Sequence, residues 1–148
     1  MSCAFVVCDI TACDEPVVYA SESFETLTGY PTHEILGRNC RFLQSPGGLV
    51  EPDAKGKYVD DRVISHLKAK LTARAEVQVT LVNYRKGGQP FTNFLTMIPL
   101  RWDSSEFRYC IGLQIDLKKT PQAVRRRNAG LCHTISEPSF HGRKSLNN

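Results

Sequence analysis

The sequence lacks the features of a membrane or secreted protein. Its 148 residues include one tryptophan and two methionines. No apolar run approaches the roughly 18–20 residues that a membrane helix needs. The N-terminus has no basic segment ahead of its apolar residues and reaches Asp9 early, so no signal peptide is predicted. We therefore expect the chain to stay in the cytoplasm, the nucleus or both, without contacting a membrane.

The cysteines and histidines match no metal or hydrolytic pattern. The six cysteines form no CxxC pair and fit no common zinc or iron–sulfur spacing, so no metal site is predicted. The four histidines occur in no recognisable triad spacing. Inside a cell the thiols should be mainly reduced. A redox alternative stays open, in which oxidation links subunits through Cys3, Cys13 or Cys132.

The positive charge is concentrated in the last part of the chain. Of the net charge of +4, residues 118–148 carry +6 and residues 1–117 carry −2. This contrast predicts one domain over 1–117 and a basic tail over 118–148, either disordered or docked on a neighbour. The tail contains three consecutive arginines but no helix-turn-helix, zinc finger or aromatic interleaving. No direct binding of nucleic acid is therefore expected.

Apolar periodicity and turn residues predict a mixed α and β domain. Ser21 and Thr32 are suitable N-caps for two short helices, and the apolar residues from Val59 to Leu71 follow helical spacing. Short glycine-containing or polar connections make the last three strands antiparallel neighbours. The predicted strands span residues 4–10, 17–20, 76–84, 90–102 and 107–117.

Three carboxamides are predicted to face the core of the sheet. Alternate residues of a strand share a face, so Asn83, Asn93 and Gln114 fall on apolar faces of their strands. A buried amide without a partner costs roughly 1–3 kcal/mol. The three can bond one another or the backbone. Alternatively they bind a flat heteroaromatic ligand such as an isoalloxazine ring, for which Gly112 leaves room.

The stretch Gly37-Arg38-Asn39-Cys40-Arg41-Phe42-Leu43-Gln44 combines a thiol, a guanidinium and a carboxamide on one short turn. It resembles the flavin-binding signature of LOV domains, the blue-light-sensing branch of the PAS fold. The similarity to fungal short LOV photoreceptors extends from about residue 2 to residue 116. It implies an α+β PAS/LOV fold, with a five-stranded antiparallel sheet and short helices flanking a flavin pocket.

The resemblance implies a light-driven bond between Cys40 and the flavin atom C4a, with the thiol proton moving to N5 and Gln114 rearranging in response. The loop 45–57 resembles an insertion that accommodates the adenine end of FAD, so FAD or FMN is expected. Arg62 is a second phosphate-binding candidate, with Lys55 and Lys57 as alternatives. The implied cofactor-binding residues are Asn39, Arg41, Gln44, Arg62, Asn83, Asn93, Met97 and Gln114.

The resemblance also implies partners. We expect a homodimer or light-dependent self-association, and pairing with White Collar-type transcription factors. Two other functions stay open, a flavin-dependent oxidoreductase and a ligand-free PAS interaction module. Because Met1 directly precedes the first strand, we expect that an N-terminal extension has been trimmed. Strand parity also predicts an apolar outer sheet face, which such an extension, the tail or a second copy would cover.

Overall fold

The computed structural model describes residues 3–51 and 58–119. Their five strands form one sheet, in which each neighbouring pair is antiparallel. The predicted fold class is confirmed. The candidate loop lysines Lys55 and Lys57, and the tail from residue 120, lie outside the described residues.

The elements are β1 (Ala4–Asp9), β2 (Val17–Ala20), α1 (Glu22–Thr28), α2 (Thr32–Ile35), a 3-10 helix (Cys40–Gln44), α3 (Asp61–Thr72), β3 (Val77–Tyr84), β4 (Pro90–Arg101) and β5 (Phe107–Asp116). The strands lie in the sheet in the order β2-β1-β5-β4-β3.

The two short helices differ in how they begin. Ser21 caps α1 as predicted, because its hydroxyl accepts a hydrogen bond of 3.2 Å from the Phe24 N–H. The prediction that Thr32 caps α2 is wrong: Pro31 is the N-cap, and it has no side chain that can bond the helix. Thr32 lies inside the helix, where its N–H donates to the Glu25 carboxylate at 2.6 Å. A carboxylate from α1 therefore holds the first turn of α2.

Helix α3 covers one side of the sheet. Asp60 caps it, accepting a hydrogen bond of 2.9 Å from the Arg62 N–H. The helix begins two residues later than the first predicted apolar position, but Val59 is still buried, at 8% exposure. Its apolar side packs against the β3 residues that point inward. The residues in contact include Val63, Ile64, Leu67 and Leu71 from the helix and Val77, Val79 and Leu81 from the strand.

The alternation predicted for the sheet is present. Along β3, exposed residues alternate with the buried Val77, Val79, Leu81 and Asn83. The strands β1, β3, β4 and β5 are one residue shorter than predicted, because the residues at their ends fall outside the ladders. The inner face therefore presents a continuous row of buried side chains toward α3 and the 3-10 helix.

The outer face of the sheet is apolar, as predicted, and its centre is buried. Ile98 is 1% exposed and Leu113 is 4% exposed, and Phe5 and Ile111 are among the residues packed against them. Val82, near the sheet edge, is 38% exposed. The use of this face as an interface stays a prediction.

Candidate functional site

A cavity lies between the inner face of the sheet, α3 and the 3-10 helix. It holds about 680 Å³ of empty space, counting its open mouth. Apolar residues from β1, α3 and β4 form most of its wall, and polar groups occur at a few positions. Such a lining is typical of small-molecule sites, where a few polar groups orient a largely apolar ligand. The predicted site residues that line it are Asn39, Cys40, Arg41, Gln44, Asn83, Met97 and Gln114.

The 3-10 helix places Cys40 at the cavity wall. Asn39 caps this helix, because its Oδ1 accepts a hydrogen bond of 3.0 Å from the Arg41 N–H. The amide of Asn39 also donates to the Asp14 carbonyl at 2.8 Å. Asn39 thus links the start of the 3-10 helix to the β1–β2 connection. These two hydrogen bonds give a structural reason for a carboxamide directly before the cysteine of the motif.

Three thiols share the cavity. Cys8 on β1 and Cys110 on β5 line it together with Cys40, and the first two are paired in the β1–β5 ladder. Hydrogen bonding to the Cys8 thiol, followed by burial, raises the pKa of Cys40 well above its usual value. Burial is the main cause that raises the pKa of Cys110 to about 12. Cys40 is therefore a protonated thiol at neutral pH rather than a thiolate.

The three predicted carboxamides form a chain of hydrogen bonds. The amide of Asn93 donates to the Asn83 Oδ1 at 2.8 Å and also to the Gln114 Oε1. Its own Oδ1 accepts a bond of 3.1 Å from the Ile115 N–H. Asn93 is completely buried and is not part of the cavity wall. It therefore stands behind the other two amides and joins them to the backbone of β5.

Asn83 and Gln114 keep part of their bonding capacity. The Asn83 amide donates to the Val82 carbonyl at 3.2 Å, and the Gln114 amide donates to the Gly112 carbonyl at 3.3 Å. Because a carboxamide nitrogen carries two hydrogens, each has a second donor for a group in the cavity. Internal pairing, one of the two alternatives above, thus accounts for Asn93 but leaves donors on the two amides that line the wall.

Arg41 lies where the cavity opens. Its guanidinium forms an ion pair with Asp14, and its Nε donates to the Val50 carbonyl at 3.0 Å. A second hollow of about 1020 Å³, counting open space, adjoins the mouth and is lined partly by Glu51 and Lys68. The two cations Arg41 and Lys68 therefore lie at the entrance, where a ligand would leave the apolar part of the site.

The structure does not bring Arg62 to the cavity. Its side chain is 91% exposed and pairs with Asp60 at 3.1 Å, on the part of α3 that also carries His66. Lys68, which the sequence analysis missed, takes the position at the mouth instead. The sequence could have indicated Lys68, because it lies between Leu67 and Leu71, two apolar positions of the predicted helix that line the inner cavity.

A largely buried ion pair between Arg85 and Asp116 lies at the C-terminal end of β5. Arg85 contacts the Asp116 carboxylate at 2.7 Å, and their side chains are 14% and 6% exposed. Arg85 also donates to the Leu27 carbonyl of α1 and lies 4.6 Å from the centre of the Phe91 ring. Asp116 accepts a bond of 3.1 Å from the Lys118 N–H. The pair was not predicted, and it fixes the point where the chain leaves the sheet.

The geometry agrees with the family comparison. A family model described as PAS domain matches residues 2–119, so the chain belongs to the PAS family. The blue light receptor lreA of Aspergillus flavus is 54% identical over 136 residues, which are 92% of this chain and 16% of the relative. White collar 1 protein of Neurospora crassa is 55% identical over 124 residues, 84% of this chain and 11% of the relative. The chain thus spans less than a fifth of either relative.

Solved structures narrow the assignment within the family. The photo-excited blue-light photoreceptor Vivid matches with 52% identity and a TM-score of 0.75, over 76% of this chain and 77% of that one. The light-state dimer of the fungal photoreceptor Vivid matches with 51% identity and a TM-score of 0.74, over 76% of each chain. The chain is a LOV domain of the fungal type, as the resemblance implied.

Among residues 3–51 and 58–119, none of the helices is both long and apolar enough to cross a bilayer. The same part of the chain contains no cluster of three or more residues that could hold a metal ion.

Proposed function

We propose that this chain is the flavin-binding sensor of a blue-light response and that Cys40 is its reactive residue. The main observation behind the proposal is that Cys40, Asn83 and Gln114 all line the same cavity. These three groups come from the 3-10 helix, β3 and β5, and they bring a thiol and two amide donors to one cavity.

The cavity fits a flat heteroaromatic ring. A side chain at Gly112 would bring its Cβ within 3.1 Å of the Met97 sulfur, 3.2 Å of the Gln114 amide and 3.3 Å of a Val6 methyl. A Cβ there would crowd these three groups, so glycine keeps this part of the cavity wall less crowded. The free amide hydrogens of Asn83 and Gln114 suit the carbonyl oxygens and ring nitrogens of a flavin.

The mouth fits the phosphate end of the same ligand. Arg41 presents a guanidinium there, and guanidinium groups bind phosphate through paired N–H donors. We propose Lys68 as the second cation, in place of Arg62. Asp14 now neutralises Arg41, so a phosphate would share or displace that carboxylate. We propose that the adjoining hollow takes the adenine end of FAD, whereas FMN would occupy only the inner cavity and its mouth.

A bound flavin supplies blue-light absorption and, once excited, a ring carbon that can bond to sulfur. Cys40 would supply that sulfur and would give its S–H proton to the ring nitrogen N5. In darkness Cys40 would take that proton back. The raised pKa of Cys40 suits this task, because the group that reacts must bring its own proton.

Gln114 is proposed to detect the new proton on N5. An amide donor facing an N–H is unfavourable, so the Gln114 side chain would turn its oxygen toward the ring. That rotation would aim its Nε2 at the Asn93 amide, which is itself a donor. Asn93 must then shift, and Ile115 loses the acceptor of its backbone N–H. An unmade bond of this kind costs roughly 1–3 kcal/mol, the usual size of an allosteric coupling.

The proposed output is a change in association. A light-state dimer of Vivid is among the structures that this chain resembles, and the match to White collar 1 covers 84% of this chain. We propose light-dependent self-association of this chain and pairing with White Collar-type factors. Chromatography with light scattering, in darkness and under blue light, tests this: equal mass and radius in both states would contradict it.

The absorption spectrum tests the proposed function as a whole. A yellow protein that bleaches in blue light and recovers in darkness supports the photoreceptor. Bleaching that requires NAD(P)H instead would indicate an oxidoreductase. The internal bonds of Asn93 also fit a ligand-free interaction module, and a colourless protein that stays colourless with added FAD or FMN would favour that function.

A further inference from the structure

Arg41 lies between the two hollows of the site. It lines both the inner cavity and the outer hollow, and its guanidinium forms an ion pair with Asp14. The side chain of Arg41 is 18% exposed and that of Asp14 is 47% exposed. The proposed function uses the guanidinium to bind phosphate but gives the carboxylate no role. A negative charge fixed at a phosphate site affects which phosphates bind there, because like charges repel.

One residue, Asn39, anchors both partners of this ion pair. Its amide donates to the Asp14 carbonyl at 2.8 Å, and its Oδ1 accepts a bond of 3.0 Å from the Arg41 N–H. The turn that carries Asp14 is also closed by a bond of 3.1 Å from the Glu15 N–H to the Ala12 carbonyl. These bonds hold the backbone of Asp14 in place, so a bound phosphate would share Arg41 with the carboxylate.

The contacts of Arg41 determine which of its donors a phosphate can use. A guanidinium has five N–H donors. The Nε–H donates to the Val50 carbonyl at 3.0 Å, and one Nη2 hydrogen is taken by Asp14. With the residues that the structure describes, the Nη1 hydrogens and the second Nη2 hydrogen make no bond. They lie at the end of the guanidinium fork, which can bind two phosphate oxygens in parallel.

We propose that Asp14 is a specificity-determining residue of the flavin site: its carboxylate, held beside Arg41, disfavours a terminal phosphate more than an internal one. FMN ends in a terminal phosphate, which has three free oxygens and carries nearly two negative charges at neutral pH. Each phosphate of FAD is internal, with two free oxygens and one charge, and therefore suits two parallel donors. This proposal rests on the proposed function and deepens it.

The lining of the outer hollow agrees with this selection. Its described residues include three carboxylates and two cations, namely Asp14, Glu15, Glu51, Arg41 and Lys68. These residues therefore supply no excess of positive charge for a phosphate with two negative charges. Apolar side chains of α3 form another part of the same wall. A ligand that continues past Arg41 would find surface to contact there, whereas FMN would end at the mouth.

The test measures the affinity of the flavin-free full chain for riboflavin, FMN and FAD by fluorescence titration at neutral pH. Asp14→Asn removes the charge but keeps the backbone carbonyl that binds Asn39, and asparagine tolerates the left-handed φ of 61° at this position. The affinity for FMN should rise by roughly fivefold, the upper end of what partly exposed charge pairs contribute. The affinity for FAD should rise less, and the affinity for riboflavin, which has no phosphate, should not change.

Glu15→Gln is the matched control. It removes a negative charge from the same turn, but Arg41 pairs with Asp14 rather than with Glu15. The affinity of this variant for FMN should therefore stay close to that of the unsubstituted chain. If Asp14→Asn does not fold, Asp14→Gly removes the same carboxylate, and glycine adopts a left-handed φ without strain.

A larger gain in affinity for FMN than for FAD in Asp14→Asn, absent from Glu15→Gln, supports the proposal. An equal gain for both flavins, a loss of FMN affinity, or the same gain in Glu15→Gln overturns it. Riboflavin distinguishes failure of this proposal from failure of the proposed function. Riboflavin binding together with an unchanged affinity for FMN overturns this proposal alone, whereas no binding of any of the three flavins contradicts the proposed function as well.

Discussion

Replacing Asn93 by leucine should be the most damaging single change among the three carboxamides. Leucine has a similar size, but it makes none of the three hydrogen bonds that Asn93 makes. The substitution leaves the Asn83 oxygen, the Gln114 oxygen and the Ile115 N–H without their partner, in a position with no exposure to water.

The expected magnitude follows from the number of groups left without a partner. At about 1 kcal/mol or more for each buried group, Asn93→Leu should lower the free energy of unfolding by about 3 kcal/mol or more. The matched control Asn83→Leu removes one bond from Asn93 and one to the Val82 carbonyl, near an exposed side chain. It should cost about 1–2 kcal/mol.

Urea unfolding followed by circular dichroism measures both values in the flavin-free chain. The comparison requires that both variants show the same slope of unfolding free energy against urea concentration. A change in that slope would indicate a change in the unfolded state. A cost for Asn83→Leu equal to or above that for Asn93→Leu would refute the assignment of Asn93 as the central connector of the network.

Three further predictions follow from the site. Lys68→Ala should weaken flavin binding several-fold while Arg62→Ala leaves it unchanged, and fluorescence titration with FMN and FAD would detect the reverse order. Ala4 pairs with Gln114 in the β1–β5 ladder, so Ala4→Asn should add a polar group near N5 and speed recovery in darkness; an unchanged recovery time would count against this. The pKa of Cys110 is raised in the folded chain. The stability that this thiol contributes is therefore fully present below its pKa in the unfolded chain, and it is lost as pH rises from about 9 toward 12. Urea unfolding at alkaline pH should show a smaller loss of stability in Cys110→Val than in the unsubstituted chain, and an equally steep loss would contradict the assignment of this pH dependence to Cys110.

Strand parity predicted the inner face because the period of a strand is fixed by backbone geometry. It placed Asn83, Asn93 and Gln114 on one face correctly. It did not indicate which of them reaches the cavity, because that depends on register between strands. In the observed register Leu81 pairs with Asn93 and Leu95 pairs with Gln114. Asn93 consequently lies on β4, between β3 and β5, the two strands that carry the other two amides.

The positions that the sequence analysis missed depend on long-range pairing. Cys8 and Cys110 are about a hundred residues apart, and only the β1–β5 ladder brings them together beside Cys40. Arg62 and Lys68 lie on one helix, and the rotation of that helix against β3 decides which of them faces the mouth. Thr32 failed as a predicted cap because its hydroxyl, like its N–H, donates to the Glu25 carboxylate from another helix.

Blue-light difference spectroscopy of the flavin-loaded chain and its Cys40→Ala variant tests the central claim most directly. Both proteins should bind flavin, because the proposed ring contacts come from Asn83 and Gln114 rather than from the sulfur. Only the unsubstituted chain should lose its blue absorption in light and regain it in darkness. A normal light response with dark recovery in Cys40→Ala would contradict the assignment of Cys40 as the reactive residue.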